Sequence, residues 1–245
     1  MILLLTGCIN PNGMSYTFLN NKEEREMQYV DAIRYYLLNT HYPIVFAENS
    51  GADISCLFED AIKSGRMEYI SFYGNQNKER GKGYGECEII QYALEHSFLI
   101  NKSNCKYIVK ITGRLKIKNI KTLISFHTFL SWKHSTICSI NSNFSFPDSR
   151  IIIASKEFYY FFLKKKEYID DTKGYFFEHA LCDTLKEYKK FPFSPFIIQP
   201  QIEGISGSTG NTYNNKKTTL ISSLKYARYT ISQLRRFKKL YRDSS

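Results

Sequence analysis

The chain has little of what marks a metal-bound, disulfide-stapled or membrane-spanning protein. Its six cysteines are far apart and form no C-x-x-C pair. We therefore expect reduced, mostly buried thiols, as in a cytosolic protein. No apolar run approaches the ~20 residues that cross a bilayer. The opening run 1–5 is too short for a signal-peptide apolar region and predicts a buried first strand instead.

Acidic residues are missing from one long segment near the end of the chain. Between Lys216 and Arg242 there are nine basic residues and no Asp or Glu, while the net charge of the whole chain is +11. Subtracting these nine charges leaves +2 for the rest. Nucleic-acid binding usually requires a basic face on the folded body itself, so we interpret the segment as a separate docking element.

A helix over residues 218–241 would place apolar side chains on one stripe and basic side chains on the adjoining face. The stripe consists of Leu220, Leu224, Ala227, Ile231, Leu234, Phe237 and Tyr241. Such a helix suits the interface of an anionic bilayer. The alternative is that the stripe packs on the rest of the chain or on a partner subunit.

Apolar strand patterns alternate with helical periodicity along most of the chain, which is 43% hydrophobic. Strands are expected near 1–6, 44–47, 68–73, 106–112, 136–140 and 196–199, and helices near 23–38, 54–63, 85–99, 120–130, 155–164 and 175–188. This order predicts an α/β fold, a Rossmann-like, mostly parallel sheet with helices on both faces, followed by a C-terminal amphipathic helix. We expect one domain over 1–205, a flexible loop over 206–217 and the basic amphipathic helix over 218–245. The loop is interpreted either as a lid that closes over a ligand or as a linker.

Ligands of such folds bind at the carboxyl ends of the strands. The predicted strand ends carry Thr6-Gly7, Glu48-Asn49-Ser50, Tyr73-Gly74-Asn75 and Thr112-Gly113-Arg114. These residues fit a nucleotide site, although turns require Gly, Asn and Ser in any case. A further glycine-rich turn at 80–85 opens a helix, where free backbone N–H groups, reinforced by Lys82, would attract an anion. It lacks the G-K-[ST] ending of a P-loop and is not G-x-G-x-x-G.

The stretch from Gly81 to Glu86, its helix and the strand ending in Lys110-Ile-Thr-Gly-Arg114 together resemble the GT-A glycosyltransferases. The likeness is to bacterial enzymes that build capsule, O-antigen or lipooligosaccharide chains. The order of elements supports it across about 1–205. The resemblance implies transfer of a sugar from a nucleotide-sugar donor to a growing polysaccharide or lipid-linked acceptor, at the inner face of the cytoplasmic membrane. It places Thr6, Gly7, Glu48, Asn49 and Asp53 where such enzymes hold the base and ribose.

The chain departs from the family at the acidic D-x-D motif, which usually holds a divalent metal on the donor diphosphate. Lys110 and Arg114 flank this position instead, with Thr112 and Gly113 between them. Basic side chains neutralise a phosphate directly. We therefore expect donor binding without a metal, or Mg²⁺ or Mn²⁺ held by acids from elsewhere. The alternative is that Lys110 and Arg114 pair with acids of the protein.

Glu178 and His179 are the predicted catalytic residues. A carboxylate or imidazole must accept the proton of the acceptor hydroxyl in inverting transfer, and burial at a helix start raises a carboxyl pKa toward working pH. The alternative is a Glu stabilised by the helix dipole beside a satisfied His. Asp148 is a candidate for contact with the acceptor sugar, whereas the Asp170–Asp171 pair is expected in a solvated turn.

Two other functions compete with sugar transfer. The basic composition and abundant aromatic residues are compatible with an α/β nucleic-acid-binding protein, although the basic residues concentrate in one segment and no binding motif is present. The other is a non-catalytic scaffold of the same fold, which would bind no nucleotide sugar.

Overall fold

The fold is described from a computed structural model, which covers residues 1–15, 17–102, 106–130, 136–187, 193–207, 209–214 and 220–242. Its strands are β1 (Ile2–Gly7), β2 (Ile44–Glu48), β3 (Met67–Ser71), β4 (Tyr107–Thr112), β5 (Lys116–Ile117), β6 (Thr136–Ile137), β7 (Ile151–Ser155), β8 (Phe193–Ser194), β9 (Ile202–Ile205) and β10 (Thr212–Asn214). Its helices are α1 (Lys22–Asn39), α2 (Glu59–Lys63), α3 (Lys82–His96), α4 (Phe98–Lys102), α5 (Ile120–Leu130), α6 (Lys156–Leu163), α7 (Phe177–Glu187) and α8 (Leu220–Arg242). Single 3₁₀ turns occur at Ser55–Phe58, Lys78–Arg80, Lys166–Tyr168 and Asp171–Lys173.

Seven strands form the central sheet in the order β3-β2-β1-β4-β7-β6-β8. Strands β1 to β4 run parallel to one another. Strand β7 runs antiparallel to both β4 and β6, and β8 is parallel to β6. Only β7 is therefore reversed within this sheet as described. The predicted α/β fold with a mostly parallel sheet is confirmed.

The strands of this sheet are apolar on both faces because helices cover both. On β1, Leu4 packs in a core with α3, α6 and α7. The neighbouring Leu3 and Leu5 pack in a second core with α1 and α5. Successive strand residues point to opposite faces, so the uninterrupted apolar run of β1 serves both cores.

Two features of the strand pattern differ from the prediction. The strand expected at 196–199 is absent, and chain pairing occurs instead at β8 and β9, on either side of it. Pro195 and Pro200 flank this stretch and have no N–H group to donate to a sheet. Its apolar pattern reflects burial instead, since Phe196 packs in a core. Strand β7 was not predicted, although its apolar, β-branched run 151–154 is a strand signal; only its antiparallel direction has no local signal.

A small second sheet has the strand order β10-β9-β5. Its strand β10 lies within 206–217, the segment predicted as a flexible loop, and pairs antiparallel with β9. The predicted C-terminal helix is confirmed as α8. Among the helices described, none is both long and apolar enough to cross a membrane.

Candidate active site

A cavity of about 720 Å³ opens at the carboxyl ends of β1, β2 and β4. Its wall is completed by the start of α3, the loop before β7, the start of α7 and the turn after β9. This is the edge at which parallel α/β sheets bind ligands. The volume lies within the range of small-molecule sites.

Eight of the thirteen predicted site residues line this cavity. They are Thr6, Gly7, Asn49, Lys82, Thr112, Arg114, Asp148 and Glu178. The other five, Glu48, Asp53, Lys110, Gly113 and His179, lie outside its wall. The sheet therefore brings together most of the strand-end residues. The contacts of the remaining five indicate structural roles.

Glu48 shapes the loop that follows β1. It is fully buried, and its carboxylate accepts hydrogen bonds from the backbone N–H groups of Ile9 (2.9 Å) and Ala52 (3.0 Å). Burial raises the pKa of Glu48, while these hydrogen bonds oppose the shift. The Glu48 carboxylate thus has a structural role, since it binds backbone N–H groups of the protein.

Gly113 and Asp53 also have local roles. The Gly113 N–H donates to the Thr6 carbonyl at 2.9 Å, and a Cβ at Gly113 would lie 2.7 Å from that oxygen. Asp53 is exposed and accepts from the Ser55 N–H at 2.8 Å, which orders the turn before α2. The first contact allows β1 and the end of β4 to approach closely.

Lys110 forms a buried ion pair. Its side chain is 0% exposed, its ammonium contacts the Glu86 carboxylate, and it donates to the Ser149 carbonyl at 2.7 Å. The Thr6 hydroxyl donates to the same Glu86 oxygen at 2.9 Å. The sequence alternative, pairing with an acid of the protein, is therefore what the structure shows for Lys110. Glu86 is a cavity residue that the sequence analysis missed.

Glu178 lies in the first turn of α7, as predicted, and faces the cavity. Its carboxylate accepts a hydrogen bond from the Ser149 hydroxyl at 2.6 Å. Burial raises the pKa of Glu178 and the charge of Glu86 adds to this, whereas Ser149 and Lys110 lower it. It forms no ion pair among the described residues. The result is a hydrogen-bonded carboxylate suited to accept a proton.

His179 turns away from this group. Its Nδ1 accepts the Phe176 N–H at 3.1 Å, and its ring stacks near those of Tyr175 and Phe176. The histidine thus helps to fix the start of α7.

Two buried arginines lie on the cavity wall, and neither has an acidic partner among the described residues. Arg25 is 5% exposed and Arg114 is 7% exposed. Arg25 Nε donates to the Cys8 carbonyl at 2.8 Å, and Arg114 Nη1 donates to Gln28 Oε1 at 2.9 Å. All these partners are uncharged, and neither guanidinium is within 4.0 Å of a carboxylate in the described part of the chain.

The two guanidinium groups are close enough for the charge of Arg25 to affect Arg114. Burial lowers the pKa of Arg114, and the charge of Arg25 acts in the same direction. A guanidinium stays protonated in proteins, so two such groups leave positive charge in a desolvated wall. An anionic ligand would relieve this cost. The sequence places Arg25 on the first helix but assigns it no role in the site, because no local pattern shows whether its side chain turns inward.

The glycine-rich turn before α3 already holds an anion from the protein. Gly83 donates its N–H to Asp171 Oδ2 at 3.2 Å, and Gly81 has φ +93°, with no room for a side chain beside Asp171. Asp171 is 5% exposed, so the predicted solvated turn is wrong for this residue. Burial lowers the pKa of Lys82, and Asp171, Glu86 and Glu178 oppose this in that order. Lys82 therefore lies among three cavity carboxylates.

Another part of the cavity wall combines a charged pair with aromatic rings. Arg150 donates from Nε to Asp148 Oδ1 at 2.8 Å and from Nη2 to Oδ2 at 2.5 Å. The hydrogen bond to Asp148 raises the pKa of Arg150, whose guanidinium lies 4.6 Å from the Tyr213 ring centroid. Phe146 and Phe176 add rings to the wall. Flat apolar faces beside a polar pair suit the C–H face and hydroxyls of a sugar.

The described residues contain no group of three or more acidic, histidine or cysteine side chains placed to hold a metal ion. The acids of the cavity wall have protein partners of their own. Glu86 contacts Lys110, Asp171 caps α3, and Asp148 is held by Arg150.

No protein-family model matches the chain, and no curated protein matches it. Among solved structures it is similar to a cytidylyltransferase from Leptospira borgpetersenii, with a TM-score of 0.47 and 11% identity over 95% of this chain and 96% of that one. It is similar to HddC from Yersinia pseudotuberculosis (TM-score 0.42, 14% identity, 83% and 93% covered). It is also similar to mouse xyloside xylosyltransferase 1 (TM-score 0.42, 10% identity, 79% and 83% covered). Likenesses at this level assign no function to the chain.

Proposed function

We propose that the protein is a glycosyltransferase of the GT-A type, which transfers a sugar from a nucleotide-sugar donor. The observation that carries this proposal is the pair Arg25 and Arg114, both buried on the wall of the cavity and both without a carboxylate partner in the part of the chain that the structure describes. A diphosphate supplies the missing negative charge, and its oxygens accept charge-assisted hydrogen bonds. Guanidinium groups match phosphate oxygens in geometry as well as charge.

Donor binding in this proposal does not depend on a divalent metal. The arginines neutralise the diphosphate that a metal would otherwise bridge, and they favour departure of the nucleotide as negative charge develops on it. The acids Glu86, Asp171 and Asp148 are engaged by protein groups, which supports this choice over a site for Mg²⁺ or Mn²⁺.

Glu178 is the proposed general base. It accepts the proton of the acceptor hydroxyl as that oxygen attacks the anomeric carbon, and the Ser149 hydroxyl orients the carboxylate. Its raised pKa brings it closer to neutral pH, where a base is most effective. The proposal uses Glu178 alone, and a catalytic role of His179 remains a prediction from sequence.

The acceptor is proposed to be a saccharide on a surface polysaccharide or a lipid carrier. The aromatic rings and the Asp148–Arg150 pair form a surface that suits a sugar, and Asp148 lines the cavity. The family resemblance supports a bacterial polysaccharide at the inner face of the cytoplasmic membrane.

Analysis of the products tests this function. The purified protein is incubated with UDP-, GDP-, CMP- and dTDP-sugars and a panel of saccharide acceptors, with EDTA or with Mn²⁺, and the released nucleotide is identified. Sugar transfer releases the nucleoside mono- or diphosphate, whereas nucleotidyl transfer from a nucleoside diphosphate sugar would release the sugar 1-phosphate. Transfer that persists in EDTA is the expected result. Binding of RNA without any nucleotide release would support the nucleic-acid alternative, and absence of both would support a scaffold.

A further inference from the structure

The side of α8 that faces solvent mixes apolar and basic residues. Ile221, Leu224 and Ile231 are 67%, 60% and 40% exposed. The basic residues Lys225, Arg228, Arg235 and Arg236 are exposed on the same side of the helix. Spacings of three, four and seven residues bring all seven onto one surface, which we call the outer face of α8.

The side of α8 that packs on the body is polar. Thr230 is 4% exposed and Gln233 is 7% exposed, and Tyr226, one turn before Thr230, hydrogen-bonds with Ser139. A surface helix normally buries its apolar stripe and exposes its polar side. On α8 the most buried residues are polar while Ile221, Leu224 and Ile231 stay exposed, so packing within the chain does not explain these apolar side chains.

This packing bears on one interpretation of the predicted stripe, namely that it packs on the rest of the chain. Leu224 and Ile231 are exposed, while Ala227 and Leu234 are partly buried beside the packed side. Packing on the rest of the chain therefore leaves part of the stripe free. Exposed apolar residues grouped among charges indicate a binding surface.

We propose that the outer face of α8 docks the protein on an anionic lipid bilayer. The three apolar side chains enter the interface and the basic side chains contact the lipid headgroups. No acidic residue occurs between Glu203 and Asp243, so nothing in this segment weakens the attraction. A second copy of the chain would present the same positive charge and be repelled, and apolar side chains between the basic ones fit lipid better than a phosphate backbone.

Docking would also orient the cavity. Helix α8 contacts Ser139 through Tyr226, and Ser139 lines the cavity beside Asp148, whose backbone N–H donates to the Ser139 carbonyl at 2.8 Å. The end of the cavity assigned to the acceptor is therefore the end attached to the docking helix. This second step rests on the proposed function and identifies the acceptor as lipid-anchored, whereas the docking itself does not depend on it.

Co-sedimentation with vesicles tests the docking. The full chain is mixed with vesicles of phosphatidylcholine alone or of phosphatidylcholine with phosphatidylglycerol, at low and high salt. We expect binding only to the anionic vesicles, weakened by salt. The triple variant R228Q/R235Q/R236Q is expected to bind on the order of 100-fold more weakly, since each basic residue near such a surface contributes about a fivefold factor. The control K22Q/K102Q/K121Q removes the same charge from exposed lysines elsewhere and should bind nearly as the parent does.

A second variant separates lipid insertion from simple charge attraction. I221A/L224A/I231A keeps the charge and the helix and is expected to lose most of the binding. Equal loss in the control and α8 charge variants, or no binding to anionic vesicles, would overturn the proposal. So would RNA binding or self-association that is lost in the α8 variants while vesicle binding is not observed. Nucleotide-sugar binding by the same variants is measured in parallel, so that failure of docking and failure of the proposed function are seen separately.

Discussion

Replacement of Glu178 by Gln removes the proposed base while keeping the shape of the side chain. The amide oxygen can still accept the Ser149 hydroxyl, so the local hydrogen bond is retained. Loss of a positioned general base lowers the rate by roughly 10²–10⁴-fold, and E178Q should lose transfer by that factor while donor affinity changes little.

The raised pKa of Glu178 fixes the direction of both pH effects. The base must be ionised, so activity falls as pH decreases through a pKa above the ordinary carboxyl range. For folding, a carboxyl with a raised pKa favours the native state when protonated, and this advantage is lost as pH rises through the native pKa. At neutral pH the E178Q protein should therefore be at least as stable as the parent.

Initial rates across the acid limb and thermal unfolding measure these effects. S149A provides the matched change, because the Ser149 hydroxyl lowers the pKa of Glu178 and its removal should shift the acid limb to higher pH. An E178Q protein with parental rates, or an acid limb that is the same in the parent and in E178Q, would refute the assignment of the base.

Three further changes test the surroundings of the cavity. E86Q leaves Lys110 buried without its charge partner and should destabilise the fold by about 3–5 kcal/mol in denaturant titration, a loss that E86Q/K110M should largely reverse. G207A would bring a methyl group into overlap with Arg114 Nη2; because a side-chain tip can move, we expect weaker donor binding in a titration with little change in Tm. G81A places a side chain at φ +93° against Asp171 and should cost about 1–3 kcal/mol of stability, measured by thermal unfolding. Unchanged stability in E86Q or G81A, or unchanged affinity in G207A, would contradict the contact concerned.

The sheet could be predicted because its strands are buried on both faces and therefore apolar throughout. The alternation with helices then gave the parallel order, and the strand-end rule led to Thr6, Asn49 and Arg114 on one cavity wall. The direction of strand β7 and the turn after β9 could not be predicted, because reversal of a strand and formation of a small second sheet depend on long-range pairing.

The charge pairs of the site were beyond the reach of the sequence for a similar reason. A lysine in an apolar strand indicates that Lys110 needs a buried acid, but nothing local selects Glu86 among the 23 acidic residues. The direction in which Arg25 points depends on how α1 packs on the sheet. The sequence thus predicted which strand ends line the cavity better than which charged side chains pair there.

Donor binding by variants of the two buried arginines tests the central claim most directly. Thermal shifts with nucleotide sugars are measured in EDTA for the parent, R25Q, R114Q, R114K and the control R34Q, which changes an exposed arginine on the same helix as Arg25. A bound donor raises Tm by mass action. The account predicts a shift for the parent and R34Q, a smaller one for R114K, and little or none for R25Q and R114Q. Equal shifts in all five proteins, or a shift of the parent that appears only with Mn²⁺, would contradict it.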